Sequence, residues 1–163
     1  MLRGKRRRGK MTIIIDSREQ RPLEFSVSTK RGTLAVGDYR AEFSDGSVSQ
    51  VVFERKSIND LFSTLSSGYP RFKREIELSH ELRISIIIIV EGSLRRILRG
   101  CSHSQRTPIS IVYQLFTIRL RHNVETVFCQ DRDEMSEYIT HYFLAEEREH
   151  NDSKLTEKRE LLS

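Results

Sequence analysis

Apolar positions along this chain fall into short runs with the alternation of strands and longer runs with helical spacing. Thr12, Ile13, Ile14 and Ile15 form a β-branched run that predicts a buried strand ending at Asp16. Gln20, Arg21 and Pro22 break it, and a loop follows. Extended runs from Leu34 to Phe43 and from Ser49 to Lys56 flank Asp45-Gly46-Ser47, a hairpin turn signal. The most apolar run, Ile84 to Val90, predicts a central strand covered on both faces. Val124 to Cys129 predicts the last strand.

The helical stretches lie between these runs. Ser57 followed three residues later by Asp60 has the pattern of a capping box, opening a short helix to about Ser66. Gly68, Tyr69 and Pro70 interrupt the chain before a charged helix from Arg71 to Leu82, with Phe72, Ile76 and Leu82 as its inner face. A short basic helix runs from Leu94 to Arg99, and a polar loop from Gly100 to Pro108. The helix from Ile109 to Leu120 carries two apolar stripes, one of Ile109, Val112, Tyr113, Phe116 and Leu120, the other of Ile111, Leu115 and Ile118. A helix apolar on two sides must be covered on two sides. The final helix, from Asp131 to about Glu149, places Met135, Tyr138, Ile139, Tyr142 and Phe143 on one face. Strands mixed with helices predict an α/β sandwich, and the hairpin over residues 34–56 makes its sheet mixed rather than all parallel.

Composition adds the class and the partners. With 163 residues, 37% hydrophobic and 31% charged, the chain is long enough for one domain with a real core. No run approaches the roughly 20 apolar residues of a membrane span, and no secretory signal is read. Two cysteines, Cys101 and Cys129, give no disulfide framework and no zinc spacing, which predicts an intracellular, reducing setting. Residues 1–10 hold six of the 28 bases and no acid, leaving 22 bases against 23 acids in the body. Residues 1–11 are therefore expected as a basic flexible arm, residues 12–149 as the domain, and residues 150–163 as a polar, frayed tail. Such a run reads as an arm that binds nucleic acid, as an address for a transport receptor, or as a plain solvated leader; on the first reading Arg6, Arg7 and Arg8 are expected to meet nucleic-acid phosphates, with Arg71, Lys73 and Arg74 on the charged helix.

Candidate chemistry centres on the strand that holds Glu54, Arg55 and Lys56. Side chains alternate along a strand, so Glu54 and Lys56 share a face and Arg55 takes the other. A carboxylate there suits a divalent metal, and a lysine beside it suits a water or the charge that builds on an attacked phosphate. Asp38 and Asp16 supply further carboxylates from separate segments, and three oxygen ligands fit Mg²⁺ or Mn²⁺. Each has a plainer reading: Asp16 as a strand-end turn residue, Asp38 as a turn residue, Glu54 and Lys56 as an exposed strand face, Asp60 as a cap.

Taken together, three segments carry a resemblance. Ile14-Ile15-Asp16-Ser17-Arg18-Glu19, then Leu34-x-x-Gly37-Asp38-Tyr39, then Val52-Phe53-Glu54-Arg55-Lys56-x-x-x-Asp60-Leu61 resemble the nuclease domain of the XPF-type structure-specific endonucleases. The resemblance spans about residues 12–145 and includes the Arg71-Phe72-Lys73-Arg74-Glu75 helix and the strand ending at Glu91 and Gly92. It implies a restriction-endonuclease-like α/β fold, a divalent metal and cleavage of DNA at branched or junction structures, in repair, recombination or replication. By the resemblance, Asp16, Asp38, Glu54 and Lys56 form the active site, with Arg18, Glu19, Arg55 and Asp60 in support. It also implies a homodimer through Ile109–Leu120 and Asp131–Glu149, with Tyr142 and Phe143 as anchors; the plainer reading is that both helices close the chain's own core. Cellular members usually add a tandem helix-hairpin-helix module, whose hairpins need glycines. This chain has none after Gly100, so the nuclease domain is expected to stand alone. Some members are non-catalytic partner subunits that have lost the signature acids. That is the alternative reading here, although this chain keeps all of them.

Overall fold

The computed structural model describes residues 10–162. In chain order the elements are β1 (Thr12–Asp16), β2 (Ser28–Gly32), β3 (Tyr39–Glu42), β4 (Val48–Ser57), α1 (Ile58–Leu65), α2 (Tyr69–Glu81), β5 (Ser85–Glu91), α3 (Leu94–Leu98), α4 (Pro108–His122), β6 (Glu125–Cys129) and α5 (Arg132–Glu160). The strands form one mixed six-stranded sheet in the order β2-β1-β3-β4-β5-β6. The β3–β4 hairpin is antiparallel, as is β1 against β3, while β1–β2, β4–β5 and β5–β6 are parallel. As a result β1, β4, β5 and β6 all point the same way, and their carboxyl ends share one edge of the molecule. Open α/β sheets tend to bind ligands at such an edge.

Alternation along β4 sorts the two cores. Val52 points to the side covered by α1, α2, α3 and α4, where it joins Ile86, Ile88, Leu61, Ile97 and Ile118. Phe53 points to the opposite side, where Met135, Ile139 and Phe143 of α5 pack against Ile13, Tyr39 and Ile87. Continuing the alternation puts Glu54 and Lys56 on the α1–α2 side and Arg55 on the α5 side. β5 is buried along Ile86–Val90 on both faces, as its composition predicts. It is interior but not central, since β3 and β4 occupy the middle of the sheet.

Several expectations are corrected. Residues 28–32 form a strand where a loop was expected, and that strand is almost wholly exposed. An edge strand open on both faces carries no apolar alternation to reveal it. Leu82, expected inside, is 45% exposed, because it sits at the C-cap of α2 where the chain turns away. In α4 only Ile111, Val112, Leu115 and Ile118 are buried, while Ile109, Tyr113, Phe116 and Leu120 face outward. The expected frayed tail is helical: α5 continues through Glu160, with its last turns exposed. Phe143, expected as an interface anchor, is fully buried against Phe53 in the chain's own core, and Tyr142 stacks edge-on against the same ring. Met11, placed at the end of the arm, packs into the core. Arg6, Arg7 and Arg8 lie outside the described residues. Among the described residues, no helix is long and apolar enough to cross a membrane.

Candidate active site

Backbone hydrogen bonds tie the three motif segments into one surface. Asp16 N–H donates to the Asp38 carbonyl at 2.8 Å, and Asp38 N–H donates to the Phe53 carbonyl at 2.8 Å. Close packing at Gly37 makes this possible. Its φ is +77°, and a Cβ there would stand 2.8 Å from the Val52 side chain, so only glycine lets this segment lie flat on β4. The next residue then turns its carboxylate toward β4, where Asp38 Oδ2 accepts from the Arg55 N–H at 2.7 Å. Tyr39 anchors the other side: buried, it accepts from the Leu23 N–H at 3.0 Å.

Glu54 is buried, and its Oε1 takes a salt bridge from Lys56 Nζ at 2.8 Å. Burial alone would lower the Lys56 pKa, but the charge and hydrogen bond of Glu54 outweigh it, so the ammonium is held above its usual range. Among the described residues, no cation forms a direct ion pair with Asp38. Burial, reinforced by the nearby Glu54 charge, pushes its pKa up to about 7. Two neighbouring carboxylates in a partly desolvated place, with one lysine paired to Glu54, leave a surplus of negative charge.

Asp16 is differently provided for. Its Oδ2 accepts from Arg18 Nε at 2.6 Å, and its Oδ1 accepts from the Leu34 N–H at 3.0 Å. Burial would raise its pKa, yet these donors together hold the carboxyl below its ordinary range. Glu19 and Arg55 form a partner pair at 3.2 Å on the α5 side of the sheet. Burial raises Glu19 too, and Arg55 more than offsets it.

An open cleft of about 370 Å³ brings together Asp16, Arg18, Glu19, Asp38, Glu54 and Arg55. A second cleft of about 290 Å³ holds Lys56 and shares Glu54, Arg71 and Glu75 with the first, so one groove passes over the carboxylates. Of the expected helix contacts Arg71 lines both clefts, whereas Lys73 and Arg74 line neither. Asp60 also stays outside: it is exposed on α1, and its N–H donates to the Ser57 hydroxyl as part of the helix cap. Glu75 was not singled out from the sequence. Half-buried on α2, it borders both clefts, and burial together with the Glu54 charge raises its pKa. Its signal was its place four residues after Arg71 and directly before the buried Ile76.

Among the described residues, no three acidic, histidine or cysteine side chains stand in a ready-made cation cluster. The donor set nonetheless fits a hard divalent ion. Mg²⁺ typically keeps several waters and takes only one or two carboxylates, and the Asp38–Glu54 pair offers two oxygen donors whose mutual repulsion such an ion relieves.

A comparison with family models matches residues 15–142 to the ERCC4 domain. The chain belongs to the ERCC4 domain family. Among solved structures it is similar to XPF from Aeropyrum pernix, with a TM-score of 0.61 and 21% identity over 78% of this chain and 57% of that one. It is also similar to XPF from Aeropyrum pernix in complex with DNA, with a TM-score of 0.63 and 20% identity over 80% of this chain and 62% of that one. The chain thus spans roughly three fifths of the length of these structures. No curated protein matches it in sequence. The likeness to these structures shows the α/β fold expected from the motifs, a mixed sheet with flanking helices.

Proposed function

We propose that this ERCC4 domain is a Mg²⁺- or Mn²⁺-dependent endodeoxyribonuclease that hydrolyses phosphodiester bonds at branched or junction DNA, in repair, recombination or replication. The observation that carries the reading is the Asp38–Glu54 pair, two carboxylates lining one cleft and close enough for the Glu54 charge to raise the Asp38 pKa, with the Lys56 ammonium held on Glu54. Asp38 and Glu54 would hold the ion, with Asp16 as the third carboxylate of the same cleft. The ion, when bound, supplies a charge that polarises the scissile phosphate and lowers the pKa of a bound water.

The chain's own side chains do the rest. Lys56 places an ammonium beside Glu54, where it can orient a water or steady charge on the attacked phosphate. Arg18 is 63% exposed at its side chain while holding Asp16, so its guanidinium can also meet a phosphate at the cleft mouth. The Arg55–Glu19 pair braces β4 against the loop after β1 and keeps Glu54 aimed into the cleft. Arg71 adds a second exposed guanidinium to the same cleft.

We also propose a two-fold homodimer. Its seam is the outward stripe of α4, where Ile109, Tyr113, Phe116 and Leu120 are 54%, 68%, 57% and 86% exposed. The stripe lies beside the open edge of β6, with Tyr138 contributing from α5. Apolar surface of this kind, rich in aromatic side chains, is typical of self-association. The test of the activity is a panel of labelled flap, fork, Holliday-junction, duplex and single-stranded DNA, incubated with Mg²⁺, Mn²⁺ or EDTA. Metal-dependent cutting of the branched substrates ahead of plain duplex is expected. Binding without cutting under every metal condition would favour a non-catalytic partner subunit.

A further inference from the structure

Acidic residues are spread through the body of the chain with one gap. Between Gly92 and Val124 there are six arginines and no Asp or Glu, whereas the rest of the body from Met11 has 16 bases and 23 acids. The structure divides these six. Arg106 is committed inward, donating to the Leu65 carbonyl and to Gln114. Arg119 and Arg121 sit in the last turn of α4, where His122 meets His80 near the far end of α2. The remaining three, Arg95, Arg96 and Arg99, lie on or directly after α3, all exposed. Among the described residues, no hydrogen bond or ion pair reaches their guanidinium groups.

Their place is fixed by local packing. Strand β5 ends at Glu91 beside Ser57, the last residue of β4, so the chain leaves the sheet next to Lys56. At Gly92 it turns with φ +149°, and a Cβ there would stand 2.8 Å from the Ile58 side chain at the start of α1. Ser93 then caps α3 by accepting from the Arg96 N–H, and Ile97 is fully buried in the core shared with α1 and α4. α3 is therefore a rigid shelf at the carboxyl edge of the sheet, on the same side as Glu54 and Lys56, with neighbouring strands on the order of 5 Å apart. Arg95 and Arg99 stand four residues apart, where like charges repel. That repulsion goes unrelieved within the chain and is relieved by an anion outside it.

We propose that Arg95, Arg96 and Arg99 form a phosphate-binding platform for a duplex arm of the DNA whose scissile bond lies in the Asp38–Glu54 cleft. The proposal rests on the nuclease reading for the identity of its polyanion. A duplex fits better than a single strand, because single-strand grooves stack bases on aromatic side chains and α3 has none. Three guanidiniums on a fixed helix suit the regular phosphates of a duplex backbone, which position the substrate without reading its sequence.

The experiment measures binding of the full chain, in EDTA, to a short labelled duplex and to a single strand of equal length across a salt series. The variant Arg95→Gln/Arg96→Gln/Arg99→Gln is compared with Arg148→Gln/Lys158→Gln/Arg159→Gln, which removes equal charge from α5. For the α3 variant, duplex affinity at low salt falls on the order of tenfold, and the slope of log K against log salt becomes shallower by about 2 to 3, at about 0.9 per lost phosphate contact. The α5 variant keeps the parental slope, and Arg95→Lys/Arg96→Lys/Arg99→Lys, which keeps charge on α3, recovers most of it. An unchanged slope in the α3 variant, an equal loss in the α5 variant, or a larger loss for the single strand than for the duplex would each overturn the platform. Single replacements of each arginine give partial slopes and keep the test valid if the triple variant does not fold. Because no cleavage is needed, a parent that binds duplex through α3 yet never cuts DNA would refute the nuclease reading and leave the platform standing.

Discussion

Asp38 shows in one side chain how site and fold make opposite demands. Burial and the Glu54 charge raise its pKa from 3.8 to about 7. The native state therefore holds a proton that the unfolded chain has already released. For this group, stability is greatest at low pH and falls as pH climbs from about 4 to about 7. Asp16 and Glu19, lowered in the folded state, act in the other direction and add stability above their unfolded values. Asp38→Asn should thus raise the thermal midpoint in metal-free buffer at pH 8, by a gain on the order of 1 to 3 kcal/mol after allowing for partial solvent access. The same variant should lose cleavage by at least about 10²-fold, as when a preorganised electrostatic contact is removed. Metal affinity in the parent should rise with pH up to about 7 and then level, because the proton and the cation compete for one carboxylate. Calorimetric titration with Mn²⁺ between pH 5 and pH 9 checks this, and a flat profile would place the ion away from Asp38. The alternation on β4 made Glu54 and Lys56 legible as a pair from sequence alone. Glu75 was not, because its role depends on how α2 lies across β4, a tertiary fact that helical periodicity does not contain.

Elements with a buried face were readable, and those without one were not. β1, β4, β5 and α1 announced themselves through apolar runs and a cap. β2 did not, since Ser28, Thr29, Lys30 and Arg31 are all exposed and only pairing with β1 makes them a strand. The two apolar stripes of α4 were visible, but the sequence did not say which one the chain covers. It covers the stripe of Ile111, Leu115 and Ile118 together with Val112, and leaves Ile109, Tyr113, Phe116 and Leu120 of the other stripe exposed. In α5, Phe143 proved to be core. These assignments give opposite outcomes on mutation. Phe143→Ala should destabilise the chain by about 3 to 5 kcal/mol, the cost of a large cavity. Tyr113→Ser with Phe116→Ser should leave a folded chain whose stability at high dilution changes by less than about 1 kcal/mol. By light scattering at tens of micromolar, the parent should have the mass of a dimer and this second variant that of a monomer. A parent that is already monomeric would end the dimer proposal.

Across the whole molecule, charge is arranged rather than abundant. The formal net charge is +5, yet six bases lie in residues 1–10 and three unpaired arginines lie on the shelf of α3. Deleting residues 1–10 should weaken DNA binding and make the salt slope shallower, while the single-turnover rate at saturating enzyme changes little, since no carboxylate lies there. An unchanged slope would show that the arm does not touch phosphates. The overall architecture was legible because the motif segments fall in the order that a mixed sheet with a carboxyl-edge cleft requires. What assembles on that sheet was not, because exposed faces record no partner in their own periodicity. The account stands or falls on whether the carboxylate pair cuts DNA. Its most direct test is single-turnover cleavage of a labelled flap substrate in Mg²⁺ by the parent and by Glu54→Gln, with DNA binding measured in parallel. The account predicts cutting by the parent that EDTA abolishes, and a loss of at least about 10²-fold in Glu54→Gln with binding retained. Near-parental cutting by Glu54→Gln, or cutting by the parent that persists in EDTA, would contradict it.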